Sequence, residues 1–326
     1  MRAVWYDQRG PAREVLQFGE LPTPAPGRNE VLIRMHASGV NPSDAGQRRG
    51  PGPMQYPRVI PNSDGAGLVE ALGPNVPEKW LGKRVWFYNG QRNGRAFGAA
   101  ADYIELDIDL IRELPEAVSF SEGATLGIPC MTAHRAVFAG GPVQGRWVLV
   151  TGGAGAVGHY CVQLAVWAGA TVIATVSSQE KAERARAGGA HYTIDYKTED
   201  VRARIREITN GEGVHHVADV DLGGNASHTL ASLRIGGSLA FYANRGGQGG
   251  VQLGAMSQKN LSVTGIYLPV VPHEARHRAQ DDITHWIGTG KRMLSVASEH
   301  PLERAYEAHE AVERGDKVGT VIVRSA

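Results

Sequence analysis

From Ser119 to Ile266 the chain alternates continuous apolar runs with stretches of helical pattern, and this alternation limits the fold more than any other feature. The runs fall at 147–150, 171–176, 192–194, 214–220, 238–242 and 261–267, with helical stretches at 156–168, 179–187, 200–209 and 226–233. A strand covered on both faces reads as an unbroken apolar run, because neither face looks at water. Such strands joined by helices form a parallel sheet with helices on both sides. Six of them fit the doubly wound Rossmann arrangement of two mononucleotide halves.

The first run leads directly into the strongest chemical signal. Thr151 and Gly152 are followed by Gly153, Ala154, Gly155, Ala156, Val157 and Gly158, a G-x-G-x-x-G pattern at a strand-to-helix junction. The first glycine of this pattern permits the tight turn, and the second lets backbone approach a pyrophosphate. The third lets helix and strand pack closely, while the helix N-terminus favours the anion's charge. A glycine-rich turn with no ligand carries the same letters, and the repeated strand–helix context favours the nucleotide reading. The end of the second run discriminates between cofactors, because an NAD-preferring site places Asp or Glu there, on the ribose 2'-hydroxyl. This chain has Ser177, Ser178 and, a turn further on, Lys181. They offer donors and positive charge to a 2'-phosphate, so NADPH is the expected cofactor. The alternative for Lys181 is a solvated helix face.

Residues 1–120 have another texture, with short apolar segments at 31–35, 67–71 and 84–87. Pro22, Pro24, Pro26, Pro51, Pro53, Pro57 and Pro61 break any long helix, so this part is expected to be mainly β. The tail has helical segments at 279–288 and 302–314 and a strand at 319–323, and the residues alone do not place it.

Composition removes several function classes. Lys+Arg number 34 and Asp+Glu 33, a net charge of +1, with no basic run to mark a nucleic-acid surface. No run of about 18 uncharged apolar residues is present to span a membrane. The first residues are charged and carry no apolar signal segment. A cytoplasmic protein without membrane or nucleic-acid partners is expected. Cys130 and Cys161 are too few for a disulfide framework or a four-thiolate zinc site and read as small buried hydrophobes. His215 and His216 are adjacent in a strand and point to opposite faces, which argues against a metal pair. The 42 glycines are well above the roughly 7% of ordinary usage. They come largely in pairs, such as Gly223-Gly224 and Gly236-Gly237, that are expected to end helices or open strands.

Several further motifs, in order, carry a family resemblance. They are Ser38-Gly39-Val40-Asn41-Pro42-Ser43-Asp44 with Arg48 and Gly50, and 62–70 from Asn62-Ser63-Asp64-Gly65 onward. Gly127-Ile128-Pro129-Cys130-Met131-Thr132, the glycine turn and Gly189-Ala190-His191 complete the set. With them the chain resembles, nearly end to end, the medium-chain dehydrogenase/reductase superfamily and its zinc-free quinone oxidoreductases, the zeta-crystallin-like branch. The resemblance implies an α/β architecture: a GroES-like β-rich catalytic domain (1–120 and 267–326) plus a doubly wound Rossmann NADPH-binding domain (121–266). It also implies a homodimer. Zinc-dependent relatives supply Cys, His and Cys where this chain has Asn41, Ser63 and Ile128, and 87–101 contains no cysteine, so no metal is expected.

By the same resemblance, Asn41 and Asp44 lie in the active cleft as catalytic residues, with Asn41 also touching the cofactor. Their local alternatives are a turn former and a helix cap. Thr132 and Tyr196 would contact the cofactor, as would Tyr242, Ala243 and Asn244 after the fifth strand. Gly46 stands where many relatives carry a tyrosine, which leaves solvent as the proton source. Arg314 and Lys317 either add charge at the 2'-phosphate or sit on a solvated helix end. The implied activity is hydride transfer from NADPH to a quinone or another electron-poor conjugated acceptor, an NADPH:quinone reductase of the EC 1.6.5.- class. An enoyl-thioester or enone reductase and a non-catalytic NADPH-binding structural or redox-sensing protein are the alternatives.

Overall fold

Alternate residues of the strand Glu30–Val40 are buried from Val31 to Ala37, and every residue is buried from there to its end. That change marks where the strand passes from a half-covered to a fully covered position. In the computed structural model, which describes all residues but 93, 244–250, 252, 316 and 326, the chain divides into two compact units. One comprises Met1–Pro129, Gln280–Gly290 and Leu294–Ala326; the other comprises Cys130–Ala279 and Lys291–Met293.

The first unit is built on a sheet of seven strands with Glu30–Val40 at its centre. That strand pairs antiparallel with Asp64–Leu72 on one side. On the other it pairs with Tyr103–Asp107 along its first half and with Thr320–Arg324 along its second. The tail strand, which the residues alone could not place, therefore joins this sheet, with Val321 opposite Val40 and Val296–Pro301 pairing parallel on its outer side. Val31, Ile33, Met35, Val85, Phe87, Ile104 and Leu106 form its core.

The second unit holds six parallel strands in the order Tyr192–Asp195, Thr171–Val176, Trp147–Val150, Val214–Asp219, Leu233–Phe241 and Ser262–Gly265. In chain order this is 3-2-1-4-5-6, the doubly wound order of dinucleotide-binding sheets. The apolar runs are strands because both their faces are covered. Leu149, Ile173, Ile194, Val217 and Leu239 are buried against Val201, Ile205, Leu222 and Leu230 from the flanking helices. Helix starts follow their caps: Ser178 accepts from the Lys181 N–H, and Asp200 accepts from the N–H groups of Arg202 and Ala203.

Two glycine pairs behave differently from expectation. Gly223 and Gly224 lie inside the helix Leu222–Ser232 instead of preceding it, which moves that helix start four residues upstream of the sequence reading. Gly236 and Gly237 do not open the fifth strand. It begins at Leu233 and bends at Gly236 (φ +71°), and continuous pairing resumes at Ser238. A strand interrupted by a bend loses its apolar periodicity over the bend, which is why only 238–242 was visible in the sequence.

The adjacent histidines take separate partners. His216 is buried, with Nδ1 2.8 Å from Ser238 Oγ and Nε2 2.7 Å from the Ala136 carbonyl, whereas His215 Nδ1 accepts the Trp147 N–H. Both cysteines are buried and free, and burial pushes both thiols up. Among the described residues no helix is long and apolar enough to cross a membrane.

Leu149 lies fully buried in the central strand of the second unit. Leu149→Ala is expected to remove about 2–5 kcal/mol of that unit's stability, read as a lower urea midpoint at unchanged slope.

Candidate functional site

The strand Trp147–Val150 and its neighbour Val214–Asp219 lie where the strand order reverses, and in such sheets ligands sit beyond the carboxyl ends at that point. Thr151 begins the turn. Its N–H donates to the Ala218 carbonyl and its hydroxyl to Asp219 Oδ1 at 3.0 Å, while it accepts the Val220 N–H at 2.8 Å. Asp219 Oδ1 also accepts from the Asp221 N–H and from Asn225 Nδ2. One buried carboxylate thus fixes the ends of two adjacent strands.

The tight turn itself is made by Gly152, at φ +65°, and not by Gly153 as the motif suggests. Gly153 is required for another reason: a Cβ there would stand 2.7 Å from that of Ala174 on the next strand. Gly155 is exposed, and its nearest neighbour to an added Cβ is the Gly152 carbonyl at 3.3 Å. At Gly158 the same oxygen would be 2.2 Å away, so helix and turn meet only because this residue lacks a side chain. The helix Ala156–Trp167 opens immediately after Gly155, and its first N–H groups, on Ala156 and Val157, have no partner within the helix. Ala154 is buried, and its carbonyl accepts from Arg184 Nε at 3.1 Å.

At the carboxyl end of Thr171–Val176 the structure brings together Ser177, Ser178, Lys181 and Tyr196. Lys181 Nζ donates to Ser177 Oγ at 2.9 Å, and the Tyr196 N–H donates to the Val176 carbonyl, leaving an exposed phenol beside the strand end. Thr132 is buried on the helix Met131–Phe138. Tyr242 and Ala243 follow the fifth strand half-buried. The Tyr242 hydroxyl is enclosed without a hydrogen-bond partner among the described residues, and burial pushes it well up. Asn244 lies outside the described residues.

In the first unit Asn41 caps the helix Pro42–Arg49, and Asp44 in its first turn reaches back to accept the Asn41 N–H on Oδ2 at 2.8 Å. Asp44 Oδ1 accepts from Ser63 Oγ at 2.9 Å and from Arg92 Nη2 at 3.0 Å. Both Asp44 oxygens are therefore occupied. Asn41 Nδ2 donates to Asp64 Oδ2 at 2.7 Å, and the Ile128 N–H donates to the same oxygen at 2.8 Å. Asp64 Oδ1 is buried with no partner among the described residues. Burial first, and then the Asp44 charge, push the Asp64 carboxyl well above the usual range. Lys317 is half-buried, and burial brings it down to about 8 against the opposing pull of Asp44, whereas Arg314 is exposed.

Arg92 and Asp64 were not singled out from the sequence. Asp64 sits inside a quoted motif beside Ser63, so its position was visible but its coupling to Asn41 was not. Arg92 carries no local signal, because it reaches Asp44 across 48 residues of chain.

An alcohol dehydrogenase GroES-like domain model matches residues 27–116, and a zinc-binding dehydrogenase model matches 156–282. The mouse quinone oxidoreductase is 32% identical over 99% of this chain and 97% of its own length. The chain belongs to the medium-chain dehydrogenase/reductase family, in its quinone-oxidoreductase branch. A Burkholderia 2-haloacrylate reductase is also 32% identical, covering 99% of this chain and 98% of its own. Among solved structures, the Escherichia coli quinone oxidoreductase complexed with NADPH superposes with a TM-score of 0.83, at 28% identity over the whole of both chains.

Within this family the zinc question turns on donor chemistry. The positions of Asn41, Ser63 and Ile128 do converge, but on Asp64 and Asp44 through an amide N–H, a hydroxyl and a backbone N–H. An amide, a hydroxyl already donating and an aliphatic side chain do not make a zinc ligand set.

A carboxyl raised by burial keeps its proton in the native state at pH values where the unfolded chain has released it, so stability falls as pH rises from about 4 towards the raised value. Asp64→Asn keeps the shape and the two accepted bonds without the titration. The variant is expected to lose this pH slope and to gain stability relative to the wild type as pH rises. Urea unfolding at several pH values checks it, and parallel pH profiles for the two proteins would contradict a protonated Asp64.

Proposed function

We propose that the chain is an NADPH-dependent, zinc-independent reductase that delivers hydride to a quinone or a similarly electron-poor conjugated acceptor. The observation that carries this reading is the donor cluster at the end of Thr171–Val176. Lys181 is held on Ser177, with Ser178 adjacent, where an NAD-preferring site places a carboxylate. A 2'-phosphate dianion gains from an ammonium and hydroxyl donors. The NADPH complex of the Escherichia coli relative supports the same choice.

When bound, NADPH supplies the hydride. This chain's residues hold it: the turn from Gly153 to Gly158, with the free N–H groups of Ala156 and Val157, takes the pyrophosphate. Ser177, Ser178, Lys181 and Tyr196 take the adenosine phosphate end, and Thr132, Tyr242, Ala243 and Asn244 the nicotinamide half. Asn41, its amide fixed by Asp64, orients substrate or cofactor ribose. Asp44, with both oxygens engaged, acts by holding Asn41 and Arg92, and is better described as a positioning residue than as an acid. The proton comes from solvent. The contribution of the protein is proximity and orientation.

The domain limits at 120/121 and 266/267, a homodimeric state and a cytoplasmic location belong to the same proposal and rest on the family resemblance. An activated alkene as acceptor is the second reading, favoured by the 2-haloacrylate reductase relative.

Oxidation of NADPH and NADH is to be followed across quinones, enones, haloacrylates and enoyl thioesters. A lower KM for NADPH is expected, and a preference for NADH would sink the cofactor assignment. Silence across the panel with intact NADPH binding would point to a binding protein. Lys181→Ala is expected to raise the NADPH KM by about tenfold or more, from the loss of a charge-assisted bond, and to leave that for NADH near its starting value. Asn41→Ala should lower kcat/KM strongly, and unaltered kinetics would remove it from the site. Stoichiometric zinc in purified, active protein would overturn the metal-independent mechanism.

A further inference from the structure

The second unit has a cleft of about 650 Å³ at the amino-terminal ends of its strands, lined by Arg146, His215, Arg234, Ser238, Ser262 and Thr264 among others. Arg146 immediately precedes the strand Trp147–Val150, and the glycine turn follows it. Four strand residues, roughly 13 Å at 3.3 Å each, separate this cleft from the turn assigned to the cofactor.

The cleft has an excess of donors. Arg146 is exposed, and its guanidinium has no hydrogen-bond or ion-pair partner among the described residues. Arg234 Nη1 donates to Glu212 Oε1 at 2.7 Å and lies 2.7 Å from His215 Nε2. His215 Nδ1 already accepts the Trp147 N–H, so both ring nitrogens face N–H donors. A neutral imidazole accepts at only one nitrogen, so one of these contacts is opposed as it stands, and a second ring proton would oppose both. The hydroxyls of Ser262 and Thr264, on the edge strand Ser262–Gly265, have no side-chain partner among the described residues. Against these donors the cleft lining holds no carboxylate, and Glu212, paired with Arg234, stands outside it. The groups acting on His215 agree: burial lowers its pKa most, Arg234 and Arg146 lower it further, and only Glu212 raises it. Two guanidiniums around one imidazole, with a single anion beside them, make a field that a bound oxyanion would relieve.

We propose that this cleft is a second binding site, for a tetrahedral oxyanion of the phosphate class, held by the Arg146 and Arg234 guanidiniums with the Ser262 and Thr264 hydroxyls. Guanidinium forks match phosphate geometry, and each charge-assisted bond is stronger than a neutral one. The site is independent of the reductase reading, since it shares no residue with the cofactor turn. The ligand is the free ion or the phosphate group of a small metabolite.

The test uses the full chain saturated with NADPH, so that phosphate cannot occupy the place near Lys181, at ionic strength held constant with chloride. Inorganic phosphate is titrated by calorimetry, and the histidine ring protons are followed by NMR, with His215 assigned through His215→Gln. Saturable binding of one phosphate per chain is expected, with the His215 titration moving to higher pH as phosphate binds, because an anion offsets the two arginines. Arg146→Gln should weaken phosphate binding by about tenfold or more and itself raise the His215 pKa, while the NADPH KM stays unchanged. Arg146→Lys should retain part of the affinity, which guards against a folding defect in the first variant. Tighter binding of glycerol phosphate than of phosphate would assign the site to an esterified ligand, and the reverse to the free ion. Absence of saturable binding would overturn the proposal, as would binding that Arg146→Gln leaves unchanged or that leaves the His215 titration where it was.

Discussion

In the nucleotide unit the Gly152 carbonyl lies tight against the backbone of Gly158, and the geometry of the turn depends on it. A Cβ at Gly158 would come within 2.2 Å of that oxygen, so any other residue would push the helix Ala156–Trp167 away from the strand that precedes it. Because the helix stays close, Cys161, Leu164 and Ala165 reach full burial on the sheet. The direction of the first helical N–H groups follows from that packing. What a phosphate would meet at Ala156 and Val157 is thus set by a contact on the other side of the turn.

Two buried carboxyl groups organise the two units by different chemistry. Asp219 gathers a hydroxyl, an amide and a backbone N–H on one oxygen and so ties the turn to the end of the next strand. Asp64 gathers an amide and a backbone N–H on one oxygen and leaves the other enclosed. Asp44 lies near enough to raise Asp64, yet it is matched by Arg92 at 3.0 Å. A carboxyl pushed up by burial beside a carboxylate matched by arginine disfavours two unmatched buried charges. The side chains at the positions where zinc relatives carry their ligands are absorbed into this network.

The legible part of the fold was the part whose residues face the same environment for several positions in a row. Trp147–Val150 and Thr171–Val176 were readable to the residue because both faces of each are covered. Leu233–Phe241 was half missed because a glycine bend breaks its pattern, and Glu30–Val40 was read only over 31–35 because its second half is small residues, Ala37, Ser38 and Gly39, that carry no apolar signal. In the same way the glycine turn and Lys181 were legible as local spacing. Arg92 on Asp44 and the Ile128 N–H on Asp64 were not, since each joins residues dozens of positions apart. Nothing in a one-dimensional pattern distinguishes such an arginine from a solvated one. The glycine that makes the turn was assigned one residue late for a related reason: the motif records which positions lack side chains, not whether the cause is a dihedral angle or a neighbour.

The charge at the end of the second strand also depends on what its acidic neighbours are doing. Asp195 ends the adjacent strand, opposite Val176, and Glu199 follows it. Asp195 accepts the Lys197 N–H on Oδ1, Glu199 accepts the Asp195 N–H, and Glu199 also pairs with Arg204 at 3.0 Å. Glu199 is thus neutralised by a helix arginine, while one Asp195 oxygen braces its own turn. Lys181 has no carboxylate partner among the described residues and rests on the Ser177 hydroxyl. The ammonium at this strand end is thus left on a hydroxyl, even though acids and bases are nearly balanced over the whole chain. Selectivity of this kind comes from which charges are already neutralised at home, and a residue count along the segment understates it.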